Sequence, residues 1–203
     1  TTTTTITLNV GVTTTVYYNV AVGSYALDAA STVTFTTALG YSAAGSLTTG
    51  NGNTVIGAMA MNLGTTAHTN VVIGQTAGYD ITTGNNLIVI GAAAGYNAGN
   101  DIVDGQYGMY IGAFSMASAG NASNEIVIGY NTQGKGNTTG FISPGGGGVY
   151  QGNNSSSWST TSDIRIKKNI VDNTTGLDKI NNLLQINNVE DKVTTVFNKC
   201  ENF

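Results

Sequence analysis

Few residues in this chain are equipped for chemistry, and they are scattered. Asp101 and Asp104 are the only close acidic pair within the regular part of the sequence. Two carboxylates can cleave a glycosidic bond when they flank a cleft from opposite sides, but these two belong to one stretch, Asn100-Asp101-Ile102-Val103-Asp104. The same stretch supplies too few ligands for calcium. His68 is the only histidine, and no Gly-x-Ser-x-Gly elbow is present, so a Ser-His-Asp hydrolase has no other base to draw on. His68 is expected on a solvated turn between Ala67 and Thr69. Cys200 is the only cysteine. It excludes an internal disulfide framework and is too isolated for a metal site, which leaves a buried or bystander thiol. No cofactor and no metal centre follows from these residues.

Composition narrows the field further. The 203 residues include 7 Lys and Arg, carry a formal net charge of −4, and place no basic residue before Lys135. That argues against a protein held to nucleic acid by phosphate contacts. No apolar run reaches transmembrane length, and no basic start leads into an apolar signal segment. Only 9% of the residues are charged, against about 25% in ordinary soluble domains. Yet 40% are apolar, Gly is abundant at 28, and Pro occurs once. Disordered chains pair low hydrophobicity with high net charge. This one is expected to fold, and to stay in solution through Thr, Asn, Ser and Gly.

The elements that position these residues come from a repeat. An apolar residue followed by Gly recurs at Gly23, Gly40, Gly57, Gly74, Gly91, Gly112 and Gly129, at intervals of 17, 17, 17, 17, 21 and 17. Three residues after the glycine stand Ala26, Ala43, Ala60, Ala77 and Ala94, then Ser115 and Thr132. Two residues before it stand Ala21, Ala38, Val55, Val72, Val89, Tyr110 and Val127. Several strands begin near Asn, as at Asn19, Asn53 and Asn70. Internal periodicity of this kind signals a stacked repeat architecture. Short β-branched segments bounded by turn residues predict strands, and the recurring Gly predicts a bend or a close backbone approach. A lap is expected to hold two short strands and two turns. Seven laps at about 4.8 Å each give a body roughly 30 Å tall.

One lap cannot bury its own apolar face. Large side chains such as Tyr25, Met59, Tyr79, Met109 and Phe114 are expected to pack against identical chains around a symmetry axis. The 21-residue lap carries four extra residues. Its segment 97–107, with Asn100, Asp101, Asp104 and Tyr107, is the candidate protruding and receptor-binding loop.

The pattern Asn-x-x-Ile-Gly-x-x-Ala over residues 19 to about 137 resembles the head repeats of trimeric bacterial adhesins and related repeats of phage tail fibres. Leu47-Thr-Thr-Gly-Asn and Ile81-Thr-Thr-Gly-Asn fit the phage-type variant. The resemblance implies three chains wound as left-handed parallel β-rolls about a common axis. Further along, Ser162-Asp-Ile-Arg-Ile-Lys-Lys-Asn-Ile170 resembles the opening of the endosialidase-type intramolecular chaperone of phage fibres and tailspikes. In that family the domain registers three chains and then releases itself through a Ser and a Lys five residues later. Ser162 and Lys167 match that spacing. A desolvated, neutral Lys can serve as base to a Ser hydroxyl, and the bond at risk would be Thr161-Ser162. Only 41 residues follow Ser162, far fewer than the family's domain.

The expected organisation is therefore all-β: a trimeric parallel β-roll or solenoid of about seven 17-residue laps, with a short α-containing C-terminal segment. Residues 1–18 form a Thr-rich N-terminal segment, 19–137 the repeats, 138–161 a Gly/Ser/Asn-rich neck, and 162–203 a truncated chaperone-like segment. Within the last, Thr174 to Ile186 reads as a short amphipathic helix. Trp158 is expected to anchor the neck against a sister chain. The expected function is a structural virion fibre or spike on a phage tail. Its partners would be two copies of itself, other virion proteins and a host-surface glycan or protein, with no nucleic acid and no membrane insertion. Alternatives are a bacterial trimeric surface adhesin and an ice-binding solenoid. The latter draws on the pairs Thr48-Thr49, Thr65-Thr66 and Thr82-Thr83. Adjacent strand residues point to opposite faces, so each pair would offer one hydroxyl per face.

Overall fold

A computed structural model describes residues 17–96, 101–144, 147–152 and 157–160. The regular elements among them are all strands: β1 (Val20–Val22), β2 (Thr37–Leu39), β3 (Thr54–Ile56), β4 (Val71–Ile73), β5 (Ile88–Ile90), β6 (Met109–Ile111), β7 (Ile126–Gly129), β8 (Gly140–Ser143), β9 (Val149–Gln151) and β10 (Ser159–Thr160). They form one sheet in sequence order. β1 to β8 pair in parallel, each strand one lap from the next, with Val55 opposite Val72, Val72 opposite Val89, and Tyr110 opposite Val127. The chain is a parallel β-solenoid of about seven laps. No helix among the described residues is long and apolar enough to cross a membrane.

Two expectations change in detail. Each lap carries one three- or four-residue strand, not two. Just before the strands the ladder is reduced to single bridges, such as His68 with Asn85 and Asn85 with Gln106. The stack also runs past residue 137. β8 adds to β7 in parallel with Phe141 opposite Val127, and only then do β9 and β10 reverse direction and pair antiparallel. Trp158 belongs to this reversed end, where its ring lies against Gly140 of the same chain. The expected helix and Cys200 lie outside the described residues.

The reason for one strand per lap is written in the backbone. Three positions in a typical lap are left-handed even where the residue is not Gly, as at Met59 (φ 57), Met61 (φ 45) and Thr69 (φ 57). Such a conformation costs an L-residue about 1–2 kcal/mol and interrupts any strand. Here the neighbouring laps hold it in place. Met59 N–H donates to Tyr41 O at 2.7 Å on one side, and Met61 N–H to Ala77 O at 2.9 Å on the other. Thr69 N–H donates to Asn51 O at 2.8 Å.

The bend glycine does what its recurrence predicts. Gly40 has φ +136, and a Cβ there would lie 2.6 Å from the carbonyl carbon and oxygen of Gly57 in the next lap. The interior is filled by the middle residue of each strand and by the alanine column. Ala38, Val55, Val72, Val89, Tyr110 and Val127 are fully buried, as are Ala43, Ala60, Ala77 and Ala94. The asparagines near strand starts are interior too. Asn70 Nδ2 donates to Gly84 O at 2.8 Å while its Oδ1 accepts from Leu87 N–H at 2.9 Å. They satisfy backbone groups that a coil this narrow would otherwise bury unpaired.

Candidate functional site

The long lap re-enters register sooner than expected. Ile81 N–H donates to Gly78 O at 3.1 Å, and Ile102 N–H makes the equivalent bond to Gly95 O at 3.0 Å. The four additional residues therefore fall between Gly95 and Ile102, a span in which 97–100, with Asn100, lie outside the described residues. Residues 101–107 are ordinary lap positions, a correction to the expected loop. Asp104 stands in the column of Thr83, and Tyr107 in that of Asn86, with Asn85 bridged to Gln106. Asp101 stacks on Asp80, one lap away.

That stacking makes Asp80 and Asp101 the interacting carboxylates, not Asp101 and Asp104. Partial burial raises the Asp80 carboxyl above its ordinary range, and the charge of Asp101 and a hydrogen bond between them add to the effect. In sequence the two are twenty-one residues apart. Only the column register, with the four additional residues set aside, brings them together. Among the described residues no group of three or more His, Cys, Asp or Glu is placed to hold a metal ion.

His68 is half-buried rather than on a solvated turn. Its Nδ1 accepts from Asn51 N–H at 3.0 Å, and its own N–H donates to Asn85 Oδ1 at 2.8 Å. Thr34 N–H donates to Asn51 Oδ1 at 2.8 Å in the same way. Asn51, His68 and Asn85 thus form a polar ladder in which each side chain caps the backbone of the preceding lap. This structural duty accounts for the histidine.

The Thr-Thr pairs divide their labour. Thr48 Oγ1 donates to Thr65 O at 2.9 Å and Thr65 Oγ1 to Thr82 O at 3.2 Å, so the first hydroxyl of each pair is consumed within the stack. The second, at Thr49, Thr66 and Thr83, is exposed. The second residues of the pairs thus leave one file of exposed hydroxyls along the stack.

The most extensive surface feature lies on the outside of the strands. The outward positions of β1 to β7 are dominated by Val, Ile, Leu and Met, from Val20 and Val22 to Ile126 and Ile128, and are half-buried or exposed. The corner after the bend glycine continues this surface with exposed Tyr25, Tyr41, Met59, Phe114 and Tyr130. Tyr25 and Tyr41 meet edge to face at 5.8 Å, as do Phe114 and Tyr130 at 6.1 Å. No Asp, Glu, Lys or Arg occupies any of these four columns. Ser162 and Lys167 lie outside the described residues. No family model, no curated protein and no solved structure matches the chain.

Proposed function

We propose that the chain is a structural fibre or spike protein that assembles as a homotrimer and carries a virion to its host surface. What supports the reading is the uncharged apolar face on the outside of β1 to β7. Monomeric proteins rarely leave so continuous an apolar surface uncovered. Identical copies related by rotation can close it without leaving an open end. The number three and the viral setting rest on the resemblances of the repeat and of Ser162–Ile170 to phage fibre sequences. A rigid β-coil suits a spacer between particle and host. The C-terminal segment would register the three chains, and the Ser162–Lys167 pair would cut Thr161-Ser162 once.

Light scattering on the purified chain tests the assembly. A mass three times that of one chain is expected. Ile73→Lys, which sets a charge in the middle of the apolar face, should shift the mass to that of a monomer. A folded wild-type monomer at micromolar concentration would defeat the proposal. Mass spectrometry reads the processing separately: a chain ending at Thr161 supports cleavage, and an intact Phe203 terminus makes the tail structural.

A further inference from the structure

The flank that precedes the strands is built differently from the apolar face, and it is not symmetric in its hydrogen bonding. Along the polar ladder every acceptor is used internally: Asn51 Oδ1 by Thr34, His68 Nδ1 by Asn51, Asn85 Oδ1 by His68. With Nδ1 accepting, the imidazole proton sits on Nε2. Asn51 Nδ2, His68 Nε2 and Asn85 Nδ2 have no partner among the described residues, and none of the three is sealed from solvent. Three successive laps therefore present one outward N–H donor each. The exposed hydroxyls of Thr49, Thr66 and Thr83 run alongside.

Aromatic rings bound this strip at both ends. Phe35 and Tyr107 occupy the same left-handed position in their laps, with φ 56 and φ 54, and are 65% and 60% exposed. Between them the position is held by Gly52, Thr69 and Asn86, all exposed. Tyr18 stacks on one face of Phe35, with ring centroids 5.1 Å apart and planes 8° from parallel. The next residue of the column, Gly52, has no side chain that could cover the other face. Phe35 and Tyr107 stand four laps apart, about 19 Å at the usual strand spacing.

We infer that this strip is a binding trough for a neutral oligosaccharide, with a sugar ring stacked on the open face of Phe35 and its oxygens accepting from the ladder's N–H groups. The inference rests on the attachment reading and names the class of receptor. One donor per lap suits a polymer whose repeat is close to one lap in length. Charge selects against anionic glycans. The only basic residue among those described is Lys135, far along the stack, and Asp104 lies beside Tyr107 at the trough's end.

The test uses the full chain in its native oligomer on a printed array of neutral and anionic glycans, with binders followed by titration calorimetry. Binding is expected among neutral oligosaccharides only. It should weaken about tenfold in Phe35→Ala, the loss of one stacked ring. Gly52→Asn should weaken it similarly, because Asn tolerates the left-handed backbone and its side chain would fill the trough. Asp28→Asn, exposed and outside both the strip and the apolar face, should leave affinity unchanged. An array with no neutral binder, binding confined to sialylated or sulfated glycans, or affinity unchanged in both trough variants would overturn the inference. Because oligomer mass is read independently, a trimer that binds no sugar refutes the trough alone, whereas a monomer refutes the assembly.

Discussion

The phenolic hydroxyl of Tyr110 donates to the carboxylate of Glu125 at 3.2 Å, across one lap, with both side chains fully buried inside the coil. Tyr110 stands in a column that β1 to β5 and β7 fill with Ala or Val, and two neighbours make room for it. Gly108 occupies the column held by Asn53, Asn70 and Leu87 in the three preceding laps and by Glu125 in the next, and a Cβ there would lie 2.6 Å from the Tyr110 ring. Gly134 does the same for the Glu125 carboxylate. Gly136 N–H at 2.9 Å and Ser118 N–H at 3.1 Å complete the carboxylate's partners. The four residues act as one packing unit.

Tyr110→Phe and Glu125→Gln should therefore be non-additive, with a coupling of about 1–2 kcal/mol in a double-mutant cycle. Burial first, and the Glu125 charge second, push the Tyr110 phenol far above its ordinary value. The folded chain keeps this proton where the unfolded chain loses it, so stability falls as pH rises above about 10. Denaturant titrations from pH 9 to 11 should show a shallower alkaline loss in Tyr110→Phe. An unchanged slope would mean that the hydroxyl is not the linked group.

The stacked pair Asp80 and Asp101 predicts the opposite response to a neutralising change. Because its folded pKa is raised, Asp80 favours the fold as pH falls through the carboxylate range and opposes it when ionised. Asp80→Asn should raise the melting temperature at pH 7 and leave it nearly unchanged at pH 3. Thermal scans at the two pH values check this. An equal gain at both would point to packing instead of charge.

Much of this fold is legible in one dimension, since a seven-fold register of Gly, Ala and Val fixes which residues face inward. The second half of each lap is not. Left-handed Met, Thr, Tyr and Phe residues obey no local preference. They are held by carbonyls a whole lap away, so no window of sequence reveals them. The same distance hid the Asp80–Asp101 pair and the polar ladder. His68 reads as a solitary residue until it is aligned with Asn51 and Asn85. The apolar face was harder still, because alternating strand positions look like a two-sided core until the coil's narrow interior assigns one side outward.

The bend column yields a sharp backbone test. Gly57 has φ +137, and a Cβ there would lie 2.6 Å from the carbonyl carbon of Gly74. Gly57→Ala forces both a conformation that L-residues avoid and a clash with rigid backbone, and should cost more than about 2 kcal/mol. Met59→Gly, two residues on, relieves a strained left-handed position (φ 57) at the expense of an exposed side chain. It should be near neutral in the single chain. Chemical denaturation of the two variants separates bend geometry from a general intolerance of mutation in this corner.

Ser115 offers a gain of stability. It replaces the alanine of its column, is fully buried, and its Oγ is the one buried side-chain nitrogen or oxygen without a hydrogen-bond partner among the described residues. An unsatisfied buried hydroxyl costs about 1–3 kcal/mol. Ser115→Ala restores the residue found at Ala60, Ala77 and Ala94, removes that penalty, and leaves a methyl group of nearly the same size. The variant should be more stable by about 1 kcal/mol, read as a higher denaturation midpoint with an unchanged slope. A destabilised Ser115→Ala would mean that the hydroxyl has a partner in solution, and an ordered water in the coil would then be the group to find.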